Sequence, residues 1–184
     1  MLFDARKHPV VHLSDDFSTY SHTVPGGMVR GYVYHPQGED ALRDLFIYFA
    51  GRGEDVRTTA VALHWLPEGF GFAAVNYRGV ADSEGHPSEI ASVEDAIQFA
   101  NHLRRAFPSA RLHVVGRSLG TGVGQAAMSF CERSGSTTSS RSASRTWVFA
   151  ATSLQCAREL NWCRSKKASG TSGKRFFKTS SIES

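Results

Sequence analysis

The sequence predicts an α/β fold: a mainly parallel sheet with helices on both faces, preceded by an antiparallel N-terminal hairpin. Three observations carry this. Continuous apolar runs of strand length recur at residues 44–50, 72–77 and 112–115, and such runs suit strands buried on both faces. Segments with apolar residues at steps of three and four follow each run, and strand–helix alternation specifies parallel strands joined by crossover helices. Ahead of them, two β-rich stretches flank Pro25-Gly26-Gly27, a turn signal.

The elements follow in order. Residues 11–24 and 28–35 read as the hairpin, with Val29, Tyr32 and Tyr34 as β-formers. Leu45 to Phe49 is the first buried strand and ends in Gly51-Arg52-Gly53. Ala60, Val61, Leu63 and Leu66 give a short helical pattern over 57–66. The second strand, 72–77, leads into a polar loop from Arg78 to Pro87. Ile90, Val93, Ile97, Phe99, Ala100 and Leu103 mark an amphipathic helix over 90–107, with Ser88 or Ser92 near its start and Pro108 as its stop. Leu112 to Val115 is the third buried strand, Gly116 to Gly120 a turn, and 121–130 a helix of small apolar residues suited to close packing on a sheet. Downstream, only Thr146 to Ala151 resembles a strand.

The 184 residues suffice for one domain with a sizeable core. The net charge of +4 hides two unlike segments. Residues 1–131 hold 11 Lys+Arg against 14 Asp+Glu, whereas 132–184 hold 10 against 3. The second segment is also rich in Ser and Thr and lacks Pro, Asp and His. So sharp a break divides the chain at 131 into an N-terminal α/β part and a basic 132–184 tail, expected to be disordered or the product of another reading frame. That tail has neither an aromatic platform nor an amphipathic stripe, so no nucleic-acid partner is expected. No apolar run approaches the roughly 20 residues of a membrane-spanning helix. Three cysteines form no CxxC pair, and the first residues lack a leader pattern, so a cytoplasmic location is expected. The scattered His and Cys imply no metal. The glycines at 120–124 lack the Gly-Lys-Ser/Thr ending of a phosphate loop, and those at 51–53 lack the third glycine of a dinucleotide fingerprint. No cofactor is expected.

The chemistry concentrates at Gly116-Arg117-Ser118-Leu119-Gly120, which matches G-x-S-x-G after a buried strand and before a helix. A serine on such a strained turn projects its hydroxyl clear of the sheet. Flanking glycines avoid the neighbouring strand and helix, and the helix N-terminus offers N–H groups to a developing oxyanion. Ser118 is therefore the candidate nucleophile. The backbone N–H of Leu119, with that of Arg52 from the Gly-rich loop, is the candidate oxyanion hole.

Tyr48 to Asp55, Asn76 to Gly85 and Val115 to Gly120 together resemble the α/β-hydrolase superfamily, in the group of serine aminopeptidase-like, lysophospholipase-like and acyl-esterase-like serine hydrolases. Asn76 to Gly85 is similar to that group's NYRGxGxSxG segment, with Ala81 in place of the second glycine. The resemblance spans roughly residues 10–131 and implies a truncated α/β-hydrolase. It also implies a small acyl substrate, an ester, thioester or amide, cleaved through an acyl-serine. A serine needs a base, normally a His oriented by a carboxylate. In this fold those follow the serine in the chain, yet the last His is His113 and the last Asp is Asp95. Among upstream histidines, His86 lies in a loop at the sheet edge expected to carry Ser118 and is the one candidate base, while His113 is expected away from the serine. Two readings stay open: a serine hydrolase impaired in this chain, and a non-catalytic hydrolase-like remnant or binding module. An uncovered sheet edge and face invite oligomers or aggregates.

Overall fold

A computed structural model describes residues 11–35, 42–61, 66 and 69–133. β1 (Phe17–Val24) and β2 (Gly27–Tyr34) pair antiparallel from Phe17 opposite Tyr34 to Val24 opposite Gly27. β1 begins later than residue 11 because Ser14 to Asp16 make a turn. The Phe17 N–H donates to the Ser14 carbonyl at 3.1 Å, and the Ser14 hydroxyl donates to the Asp16 carboxylate at 3.3 Å. Ser and Asp favour such turns through these side-chain bonds.

β3 (Asp44–Phe49), β4 (Phe70–Val75) and β5 (Arg111–Gly116) are the parallel strands, with β3 pairing to both of the others. The hairpin joins through β2, antiparallel to β4, which completes the order β1-β2-β4-β3-β5. β4 leaves the expected 72–77 span before its end, because Asn76 turns its side chain to other partners described below. The chain runs outward from β3 in one direction to β4 and then crosses back to β5. Strand order therefore reverses between β3 and β5, and the crevice beyond the carboxyl ends at such a point is where open α/β sheets bind ligands.

α1 (Val56–Ala60) is capped by Asp55, whose carboxylate accepts the Arg57 N–H at 3.0 Å. It is shorter than the 57–66 pattern suggests; residues 62–65 lie outside the described ones. α2 (Glu89–Ala106) starts at Ser88, whose hydroxyl accepts the Ala91 N–H at 3.1 Å. It buries Ala96, Phe99, Ala100 and Leu103, but leaves Ile90, one of the expected apolar stripe, 73% exposed. Ile90 sits in the first turn, beyond the edge of the face that meets the sheet. α3 (Leu119–Arg133) packs on β5 and β3 and against α2. Its small residues permit this: a Cβ on Gly124 would stand 3.0 Å from the Phe49 ring and from Val114.

Every residue of β3 and β4 is buried, so both faces of the central strands are covered. β5 ends the strand order, and among the described residues its outer edge has no strand partner. α3 runs two residues past the composition break at 131. The rest of the tail, including the strand-like 146–151 segment, lies outside the described residues.

Candidate active site

The turn from β5 into α3 occupies the crevice at the strand-order reversal. Ser118 sits there at φ +50°, a left-handed conformation in a non-glycine residue, and is exposed. Such a backbone costs on the order of 1 kcal/mol and persists only where its surroundings enforce it. Here they do. The Arg117 N–H donates to the Phe49 carbonyl at 3.0 Å, tying the turn to the end of β3. The Gly120 N–H donates to the Arg117 carbonyl at 2.9 Å and the Thr121 N–H to the Ser118 carbonyl at 3.0 Å. The Thr121 hydroxyl donates to the Gly116 carbonyl at 3.2 Å.

Both flanking glycines are sterically required. A Cβ on Gly116 would lie 2.6 Å from the Gly120 carbonyl oxygen and from Thr121 Cα. A Cβ on Gly120 would overlap the carbonyl group of Phe49. The bend is thus so tight that the start of α3 presses on the end of β3.

The loop after β3 faces this turn. Gly51 is buried and Arg52 exposed. The Gly51 N–H donates to Glu54 Oε2 at 3.0 Å, and Arg117 Nη1 donates to the same oxygen at 2.9 Å. Strand order thereby places Arg52 and the Ser118–Leu119 turn just beyond the ends of the neighbouring strands β3 and β5, although β4 intervenes between these in the chain. Glu54 was not singled out from sequence; a lone acid in a Gly-rich loop carries no signal until its partners are seen.

The loop that carries His86 is tied to β2. The Glu84 N–H donates to the Met28 carbonyl at 2.8 Å and the Met28 N–H to Glu84 Oε2 at 3.0 Å. His86, two residues on, is therefore held beside the start of β2, at the expected edge of the sheet but three strand positions from β5. His113 lies in the first half of β5 and pairs through Nε2 with Asp44 Oδ1 at 2.7 Å, as its expected distance from the serine requires. Asp95, the last aspartate, is occupied elsewhere: Arg78 donates to it at 2.7 and 2.8 Å and His22 Nε2 lies at 3.2 Å.

The Asn76–Gly85 segment turns out to be bracing. Asn76 is fully buried. Its Oδ1 accepts the Val56 N–H at 2.9 Å, and its Nδ2 donates to Asp82 at 2.9 Å and to Asp55 at 3.4 Å. Arg57 binds the Asp55 carboxylate at 2.7 Å, and the Tyr32 hydroxyl donates to Asp82. Burial would raise the Asp55 pKa, but the bonds from Arg57 outweigh it and hold that carboxyl below its ordinary value. Ser83 donates to the Asn76 carbonyl at 3.0 Å. Ala81 has φ +52°, which explains why the resembling segment carries glycine there. The network fixes the loop between β4 and α2 to the start of α1, and so supports the loop after β3 from behind.

Among the described residues no group of three or more His, Cys, Asp or Glu could hold a metal ion, and no helix is long and apolar enough to cross a membrane.

No protein-family profile matches the chain. It is 33% identical over 113 residues to the lysophosphatidylserine lipase ABHD12 of Danio rerio, a match covering 55% of this chain and 29% of that protein. It is 31% identical over 86 residues to a multifunctional-autoprocessing repeats-in-toxin of Vibrio vulnificus, covering 42% of this chain and 2% of the toxin. The chain thus spans less than a third of either curated relative. Among solved structures it is similar to a highly thermostable carboxyl esterase from Bacillus coagulans, at TM-score 0.55 and 17% identity over 85% of this chain and 52% of that one. It is likewise similar to an alpha-beta serine hydrolase homologue from Coxiella burnetii, at TM-score 0.51 and 18% identity over 83% and 84%.

Proposed function

We propose that this chain, whose described residues adopt an α/β-hydrolase-like fold, carries the nucleophile half of a serine hydrolase acting on a small ester, thioester or amide. The observation that supports this most is Ser118 at φ +50° on the strand-to-helix turn, exposed and opposite the Gly51–Arg52 loop. In this reading Ser118 Oγ attacks the acyl carbon, and the N–H groups of Leu119 and Arg52 receive the charge on the carbonyl oxygen. The alcohol, thiol or amine leaves with a proton, and water then releases the acid. The name of the zebrafish relative makes a lysophospholipid acyl ester the first substrate class to try.

Slow turnover belongs to the same reading. The 184 residues place no His after Ser118, and His113, the His nearest to it in the chain, pairs with Asp44 at 2.7 Å. A serine site without its base retains on the order of 10³–10⁴ acceleration over water in well-studied proteases. That same absence favours a second reading, in which the chain is a non-catalytic hydrolase-like module that binds acyl compounds without turning them over.

A fluorophosphonate probe and a short p-nitrophenyl ester separate these readings. The hydrolase reading expects labelling that Ser118→Ala abolishes, with ester hydrolysis near background. Labelling that survives Ser118→Ala, or none at all, overturns Ser118 as nucleophile and leaves the binding module. Saturable hydrolysis lost in Ser118→Ala overturns the impairment instead.

A further inference from the structure

Glu54 accepts four hydrogen bonds at this site. Its Oε1 accepts the hydroxyls of Tyr48 at 2.8 Å and Thr59 at 2.7 Å. Its Oε2 accepts the Gly51 N–H at 3.0 Å and Arg117 Nη1 at 2.9 Å. The four donors come from four places: β3, the loop after it, α1, and the turn that carries Ser118. Burial together with the Glu54 charge pushes the Tyr48 hydroxyl well above its ordinary pKa, so it stays a donor.

The two donors on Oε2 matter most. Gly51 immediately precedes Arg52, and Arg117 immediately precedes Ser118 and Leu119. One carboxylate oxygen therefore joins both lips of the candidate oxyanion site. The backbone bond from Arg117 to Phe49 fixes the turn to the end of β3, but it stops two residues short of Gly51. Tyr77 holds the loop's base by donating to the Ala50 carbonyl at 3.1 Å, and Glu54 is the side chain that joins Gly51 to the turn itself. There is no slack in the fit, since a Cβ on Gly51 would meet Glu54 Oε2 at 3.3 Å.

The ion pair to Arg117 adds little stability of its own. Arg117 is 48% exposed, and ion pairs this open contribute on the order of 0.5 kcal/mol. Electrostatics alone argues against an acid here, because a carboxylate opposes a nearby oxyanion. Arg117 cancels that charge, which leaves geometry as the gain.

We propose that Glu54 is the positioning residue of the oxyanion site, holding the Gly51–Arg52 loop against the Arg117–Leu119 turn so that the two backbone N–H groups converge on one point. The inference rests on the reading of Ser118 as nucleophile.

The test compares the full chain with Glu54→Gln and Glu54→Asp. Two measurements are made: fluorophosphonate labelling, resolved into rate constant, probe affinity and end-point fraction, and amide hydrogen exchange at Gly51 and Arg52. In Glu54→Gln one of the two acceptor oxygens becomes a donor and the charge is lost, so four donors compete for a single oxygen and Arg117 loses its ion pair. The labelling rate constant falls about 10²-fold, the size of a 1 Å misplacement. Probe affinity and end-point fraction hold, because oxyanion contacts strengthen only as the tetrahedral centre forms. Exchange at Gly51 accelerates, and Glu54→Asp, which keeps the charge, recovers part of the rate. A wild-type rate constant in Glu54→Gln overturns the proposal, as does a loss confined to the end-point fraction, which signals misfolding alone. If the wild-type chain does not label at Ser118, the nucleophile reading has failed. Exchange then decides the rest: unchanged Gly51 protection overturns the Glu54 link too, whereas faster exchange upholds it as the hold on the loop.

Discussion

The two ends of the β3–β5 pair carry complementary halves of one chemistry. Beyond the carboxyl ends stands the exposed Ser118. At the amino ends stands a His paired with an acid: His113 Nε2 lies 2.7 Å from Asp44 Oδ1, and Arg111 donates to Oδ2 at 2.7 Å. Five residues of chain, about 16 Å when extended, separate His113 from Ser118. The environments differ as much as the contents. Asp44 and His113 are buried, and His113 Nδ1 is buried with no partner, whereas Ser118 and Arg117 are exposed. Residue types alone therefore do not make a site. Parallel strands gather their carboxyl ends, and the amino ends of the helices that follow, on one edge, where loops meet N–H groups and solvent. The opposite edge packs, and a His–Asp pair there serves the fold.

The contrast predicts where substitutions bite. The largest effect belongs to the crowded turn. Gly120→Ala should cost more than about 3 kcal/mol in urea unfolding, because its methyl meets the Phe49 backbone. Two residues on, a Cβ at Gly122 meets nothing within 4 Å, so Gly122→Ala should stabilise by about 0.5–1 kcal/mol. Equal effects would mean the turn is not tightly pressed on β3.

At the buried end, Asp44→Ala should cost about 2 kcal/mol by stranding His113, yet leave the labelling rate of Ser118 unchanged. Burial would raise the Asp44 pKa, but the bonds from His113 and Arg111 outweigh it and depress the folded-state value. The stability it contributes is then present above the unfolded pKa of about 4 and is lost as pH falls through the lower folded value. Unfolding free energy measured from pH 6 down to pH 2 should drop less steeply in Asp44→Ala than in the wild type. An altered labelling rate would break the separation of the two ends.

Ser118→Gly should be more stable than Ser118→Ala by about 1 kcal/mol, since glycine alone relieves a left-handed backbone. The same melt on both variants reads it, and equal stabilities would remove the strain from the account. The smallest effect is expected from His86→Ala, which should change the Ser118 labelling rate by less than about twofold, because labelling that needs no distant base is set by groups in hydrogen-bond reach. A larger loss would bring the loop after β4 into the site.

Much of the fold was legible because burial on both faces writes unbroken apolar runs, and β3, β4 and α2 fall within two residues of their sequence patterns. The Gly116–Gly120 turn was equally legible, since its glycines answer a local steric demand. Glu54 was not, because its partners lie at sequence separations from 3 to 63 residues. His86 is a different case. Its edge of the sheet follows from chain direction, but its strand position does not.

The sequence by itself determined the strands, the helices, the bend at Ser118 and the absence of any His beyond residue 113. All of these are properties of neighbouring residues or of composition. Only the tertiary structure decided that β3, not β4, lies beside β5. That choice puts the Gly51–Arg52 loop against the serine, strands His86 three positions away, and lets Glu54 join the two lips of the site. Strand order is set by which apolar faces α2 and α3 can cover together, a balance of packing between distant segments that no local pattern records.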